Sequence, residues 1–251
     1  MKNVAVVLSG GGSRGAIQLG VLQAFDEYNL KIEAISGTSI GAIIGSLYCA
    51  GVKPIVVKEL METKGFIKIF NLSWNLKGLM NMKNLYAVLE EHIPNDDFNS
   101  LNIPMHICVT NINTNKYEIF SKGSLFDKIA ASASIPVVFE PIQIEENYYV
   151  DGGLINNLPV EPFIDKYKNI IGIDINNHEN TDKHNMWIMA QRIIDLVIIQ
   201  NSELNYKKCD YLIKPFIDFE HNILNFNHTD KFFELGYTEG VNFIKTVLKK
   251  Q

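Results

Sequence analysis

Residues 6 to 25, VVLSGGGSRGAIQLGVLQAF, pass from an apolar run through three consecutive glycines into a segment that carries Ile17, Val21, Leu22 and Phe25 at helical spacing. The pattern then repeats. A short strand, IEAIS, leads through a tight turn into GTSIGAIIGSLYCAG, whose small and apolar residues read as a helix buried on most sides. Strands that are apolar throughout, as VAVVL is at residues 4–8, need cover on both faces. Two successive strand–turn–helix units of this kind predict an α/β fold: three α/β/α layers around a mostly parallel central sheet.

The remainder of the chain fits that frame. Residues 54–103 read as a helical insertion in which PIVVKELMET and LYAVLEEHI flank GFIKIFNLSWNLKGLMNM. Phe66, Ile69, Phe70, Trp74, Leu79 and Met80 of that central stretch are expected to pack inward, with a flap over an apolar site or a membrane-touching surface as the functional alternative. Strands resume with PMHICVT and KYEIFS, and a helix, SLFDKIAASAS, stops at Pro136. A strand ending YYVDGG and another, NIIGIDI, follow. Two helices separated by CDYLIKPF occupy about 185–250. No repeat, low-complexity tract or Gly/Ser/Pro-rich linker divides the chain, so residues 1–251 are expected to form one domain, with its motif-bearing core over about 4–175.

Charge and cysteine content narrow the location and partners. A net charge of -5 gives no global attraction to nucleic acid. Cys49, Cys108 and Cys209 form no CxxC pair and leave one over, which suits a reducing compartment. The apolar run near the amino terminus ends in the glycine turn, too soon for a signal peptide, and no apolar stretch reaches the roughly 18 residues of a spanning helix. A cytoplasmic protein is expected, with non-standard secretion left open.

Three glycine-rich constellations could carry chemistry. The first, Gly10-Gly11-Gly12-Ser13-Arg14-Gly15, satisfies GxGxxG between a strand and a helix, as a dinucleotide-binding turn would. That reading also wants an acidic residue where the second strand ends, yet Glu33 lies at its beginning and the strand ends in Ser36. The same glycine amides, Gly11 and Gly12 above all, could instead approach a developing oxyanion to about 3 Å, because no Cβ intervenes. Arg14, one of two arginines in the chain, would order this turn, neutralise charge near it, or tie it to the helix by a salt bridge.

The second constellation, Gly37-Thr38-Ser39-Ile40-Gly41, is a GxSxG between strand and helix, the form of a nucleophile elbow. Its bland alternative is tight helix–strand packing of small residues. The third, Asp151-Gly152-Gly153, sets a carboxylate at a strand end followed by two glycines that free the backbone. It could equally be an ordinary Asp-Gly turn. A serine–acid–histidine order would draw on Ser39, then Asp151 or Asp174, then His178, His184, His221 or His228, but none of the six histidines stands in a glycine-flanked context.

Together SGGGSRG, GTSIG and DGG, with the run AASASIPVVFEPIQIEENYYVDGGLINNLPV, resemble the patatin-like phospholipase family, including its Ala-Ser-x-x-x-Pro helix end. The resemblance covers residues 4 to about 175, and Ser9 stands where many members have aspartate. It implies a lipid acyl hydrolase with Ser39 as nucleophile, Asp151 as general base and the amides of Gly11 and Gly12 as oxyanion hole. Gly10, Arg14, Gly15, Gly37, Gly41, Gly152 and Gly153 would support that site. No metal or cofactor is implied. The implied substrates are phospholipids, lysophospholipids or other acyl-ester lipids, with peripheral membrane contact and no nucleic acid. Two alternatives stand beside it: acyl transfer to an acceptor other than water, as in the related malonyl transferases, and a nucleotide-binding or regulatory protein without turnover.

Overall fold

A computed structural model describes residues 1–63, 66, 82–136, 138–176, 186–217 and 226–248. Its strands are β1 (Val4–Leu8), β2 (Ile32–Thr38), β3 (Met105–Asn111), β4 (Lys116–Phe120), β5 (Ile142–Ile144), β6 (Asn147–Asp151), β7 (Asn169–Ile173) and β8 (Tyr211–Ile213). The helices are α1 (Gly15–Glu27), α2 (Ile40–Cys49), α3 (Pro54–Glu62), α4 (Lys83–His92), α5 (Phe126–Ser132), α6 (Met186–Glu203) and α7 (Thr229–Leu248).

One mixed sheet of eight strands has the order β5-β6-β3-β2-β1-β7-β8, with β4 also pairing β3. The pairings from β3 through β2, β1 and β7 to β8 are parallel, whereas β4, β5 and β6 join antiparallel on the β3 side. The parallel centre therefore matches the sequence expectation. β8 is a difference of detail: it falls inside CDYLIKPF, read from sequence as a connector, because three residues are too few to show a period.

β1 is fully buried, as its unbroken apolar run requires. Val4, Val6 and Leu8 face a large core shared with α1, α2 and α5, while Ala5 and Val7 face a smaller one closed by Leu158, Val160 and Phe163. Burying a side chain the size of Leu or Phe stabilises by about 1.5–3 kcal/mol, so the larger face carries most of the stabilisation. Local chemistry sets the helix ends. α1 closes on Asn29 at φ 57, with Leu30 N–H donating to Phe25 O and Asn29 N–H to Asp26 O. α2 ends the same way at Gly51, and Pro54 opens α3 at a position whose amide needs no partner.

α1 and α7 cross closely at glycines. A Cβ at Gly236 would strike the backbone of Ile17, and one at Gly240 would lie 2.8 Å from Ala24 Cβ. Tyr237 hydroxyl donates to Glu27 across the same contact, and the Phe25 and Phe243 rings meet at 5.7 Å. Of the apolar stretch within 54–103, Phe66 packs inward, fully buried and 5.9 Å edge-on from Phe226. Ile69, Phe70, Trp74, Leu79 and Met80 lie outside the described residues. Among the described residues no helix is long and apolar enough to cross a membrane.

Candidate active site

Ser39 sits alone between the end of β2 and the start of α2, at φ 56 and ψ −124. For a residue with a Cβ such torsions cost about 1–3 kcal/mol and persist only where surroundings enforce them. Here the glycines make the turn sterically possible. A Cβ at Gly37 would come 2.5 Å from Gly41 O, and one at Gly41 would come 2.5 Å from Leu8 O. The carbonyl of Ser39 starts α2 by accepting from Ala42 and Ile43, and its amide donates to Ser132 Oγ at 2.9 Å. The side chain thus stands at the positive end of a ten-residue helix.

Asp151 reaches the same edge by register. It pairs with Val109 on β3, whose neighbour Cys108 pairs with Thr38 on β2. Gly152 lets the chain press close at this point: a Cβ there would strike Cys108 O and lie 3.1 Å from Thr38 Cγ2. The Asp151 amide donates to Ser134 O at 2.9 Å, and its Oδ1 accepts from the Gly153 amide at 2.8 Å. Oδ2 is buried with no well-formed hydrogen bond, yet the Ser39 hydroxyl is near enough to act on the carboxyl as a partner. Burial pushes the Asp151 pKa up to about 6, and contacts with Ser39 and the Gly153 amide oppose the rise.

The glycine turn completes the edge. A Cβ on Gly10 would sit 3.0 Å from Ser39 Cβ, which fixes the turn against the elbow. Asn157 Oδ1 accepts from the Gly10 amide at 3.0 Å, and Asn176 Nδ2 donates to Gly10 O at 2.8 Å. Arg14, buried, donates to Gly11 O at 3.2 Å and to Asn176 Oδ1 at 2.9 Å, so of its expected roles ordering the turn is the one these bonds perform. Gly12 takes φ 59, and Gly15 abuts the elbow directly, since a Cβ there would lie 2.5 Å from Ile40 Cγ1. Among the described residues no acceptor takes the amide N–H of Gly11 or Gly12.

Ser9 is more than a substitute for aspartate. Its hydroxyl accepts from the amide of Ile175 at 3.1 Å and from Asn176 Nδ2 at 3.3 Å, tying β1 to the end of β7. Asp174, the alternative acid, is fully buried and accepts from the Tyr206 hydroxyl and from Asn176. His92 contacts Val88 O, His106 stacks edge-on to Phe163, and His228 to Phe232. None of these three hydrogen-bonds Ser39 or Asp151, and His178, His184 and His221 lie outside the described residues. The sequence reading missed Asn157, Asn176 and Ser132, whose side chains brace the glycine turn and the elbow. INNLP directly after DGG, and DINN at the end of β7, were the available signals.

Fold and geometry together define a class, the α/β acyl hydrolases with a serine elbow at a sheet edge. The chain belongs to the patatin-like phospholipase family, whose model, described as Patatin-like phospholipase, matches residues 6–164. The glycine turn that satisfies GxGxxG is thereby part of a lipid-ester hydrolase fold. Neuropathy target esterase sws of Drosophila melanogaster is 26% identical over 98% of this chain. Lysophospholipase NTE1 of Mycosarcoma maydis and Patatin-like phospholipase domain-containing protein 7 of Mus musculus are each 26% identical, over 96% and 94% of it. The chain spans 20%, 15% and 20% of these relatives' own lengths. Among solved structures, VipD from Legionella pneumophila superposes with TM-score 0.64 at 15% identity, covering 98% of this chain and 67% of that one. A chain of the SpcU–ExoU complex of Pseudomonas aeruginosa gives 0.52 at 14%, covering 97% and 52%. Both likenesses show the fold.

Proposed function

We propose that residues 1–251 act as one patatin-like domain that hydrolyses acyl esters of phospholipids or lysophospholipids through a Ser39–Asp151 dyad. The observation that carries the reading is the buried, unbonded Oδ2 of Asp151 on a carboxyl that the Ser39 hydroxyl already influences. A carboxyl raised to about 6 remains ionised at neutral pH and is far more basic than an ordinary aspartate. Asp151 would take the proton as Ser39 Oγ attacks the ester carbonyl, while the Gly11 and Gly12 amides receive the oxyanion. Collapse expels the alcohol, a lysolipid or glycerol derivative, protonated by Asp151. Water then attacks the acyl-enzyme, Asp151 accepts its proton, the fatty acid leaves and Ser39 regains its hydrogen. None of these steps calls on a metal.

The names of the relatives support lipid esters as the substrate class, and such substrates imply peripheral contact with a lipid surface. Three free cysteines, two of them buried, suit the cytoplasm. A fluorophosphonate probe tests the reading. Labelling should fall on Ser39 alone, and acids should be released from mixed phospholipids and lysophospholipids as read by mass spectrometry. Saturable NAD binding without labelling would overturn it.

A further inference from the structure

The Ser39 amide poses a problem that its torsions create. At positive φ it joins neither the β2 ladder nor the α2 hydrogen bonds, and it is buried, where an unbonded N–H is costly. Ser132 Oγ, with no solvent exposure, accepts that N–H at 2.9 Å and donates its own hydrogen to Cys108 O on β3 at 2.6 Å. One atom thus serves as acceptor toward the elbow and donor toward the sheet. A hydroxyl at this position does both, whereas alanine does neither.

Ser132 is the last residue of α5, and the turn that follows it holds the other half of the dyad. Ser134 O accepts the Asp151 amide at 2.9 Å, and Ser134 Oγ closes the helix end on Ala130 O at 2.8 Å. The far end of α5 is also fixed, since Asp96 Oδ1 accepts the amides of Leu125 and Phe126 at 2.6 Å each. A short helix pinned at both ends therefore reaches the nucleophile through one residue and the acid through a residue two positions on.

We infer that Ser132 is a positioning residue for the nucleophile: the bond from the Ser39 amide to Ser132 Oγ holds the elbow in the conformation that aims Ser39 at Asp151. The inference rests on the proposed role of Ser39. Its chemistry accounts for the serine of the Ala-Ser-x-x-x-Pro run, which the dyad itself leaves unexplained.

The test begins with wild-type protein and a fluorophosphonate probe; no labelling at Ser39 would defeat the functional reading itself. Given labelling, Ser132→Ala should lower both its rate and kcat for a p-nitrophenyl ester by about 100-fold, the effect of a small misplacement, with KM unchanged. Ser132→Thr, which keeps the hydroxyl, should restore most of the rate. Asn3→Ala removes hydrogen bonds to Lys168 and Glu33 at the opposite edge of the sheet, and supplies a control that lowers the melting temperature without touching the rate. Wild-type labelling in Ser132→Ala, no rescue by threonine, or an equal loss of rate in Asn3→Ala would each overturn the inference. Should Ser132→Ala fail to fold, Ser132→Cys keeps the volume with a weak donor and acceptor, and a wild-type rate there would overturn it equally.

Discussion

The two halves of the proposed dyad are built on opposite principles. Ser39 has an ordinary side chain on an unusual backbone, at φ 56 and ψ −124, whereas Asp151 has an ordinary backbone, at φ −47 and ψ 128, and an unusual environment. The cost at Ser39 is torsional and independent of pH. The cost at Asp151 is the burial of a carboxyl with one oxygen unbonded, and it appears only when the group is charged. A nucleophile needs direction, which backbone geometry supplies; a base needs proton affinity, which only its surroundings can change.

Removing either half should have the largest effect. Ser39→Ala and Asp151→Asn should each cut ester hydrolysis by at least about 10³–10⁴-fold without unfolding the protein, because the pair acts as a unit. Full activity in Asp151→Asn would move the base role to another group. Next in size is the pH response: the rate of Ser39 labelling should rise to a plateau with its midpoint near the Asp151 value of about 6. Below that midpoint it should fall about tenfold per pH unit, since only the carboxylate is active.

Stability should then separate the two costs. Folded Asp151 holds its proton more tightly than unfolded Asp151, so wild-type stability falls as pH rises from 3.8 through about 6. Asp151→Asn escapes that loss, and its melting temperature should exceed wild type's at pH 8 by the equivalent of about 1–3 kcal/mol, with the gap closing below pH 4. The smallest effect is Ser39→Gly. Relief of the positive φ should stabilise by about 0.5–1 kcal/mol at every pH, as chemical denaturation at pH 4 and pH 8 would show.

The parts legible in the sequence were those whose reason is local. Gly37 and Gly41 flank Ser39 because the elbow admits no Cβ, and Gly152 follows Asp151 for the same kind of reason, so each motif announces itself within five residues. The bracing side chains give no such notice. Asn157 and Asn176 bond Gly10 across 147 and 166 residues, and an asparagine in a loop looks the same whether it does this or faces water. Ser132 stood in a recognisable run, but its bond to Ser39 spans 93 residues and depends on where α5 ends. β8 was illegible for a different cause: as a three-residue strand beside β7, it is specified by the sheet already formed.

The glycine crossing of α1 and α7 imposes an order on synthesis. Glu27 and Tyr237, bonded there, are 210 residues apart, so a ribosome exposes every reactive motif long before it makes the helix that covers α1. Until then the face of α1 that α7 covers has no partner on the nascent chain, and the packing of this domain is incomplete until translation reaches α7.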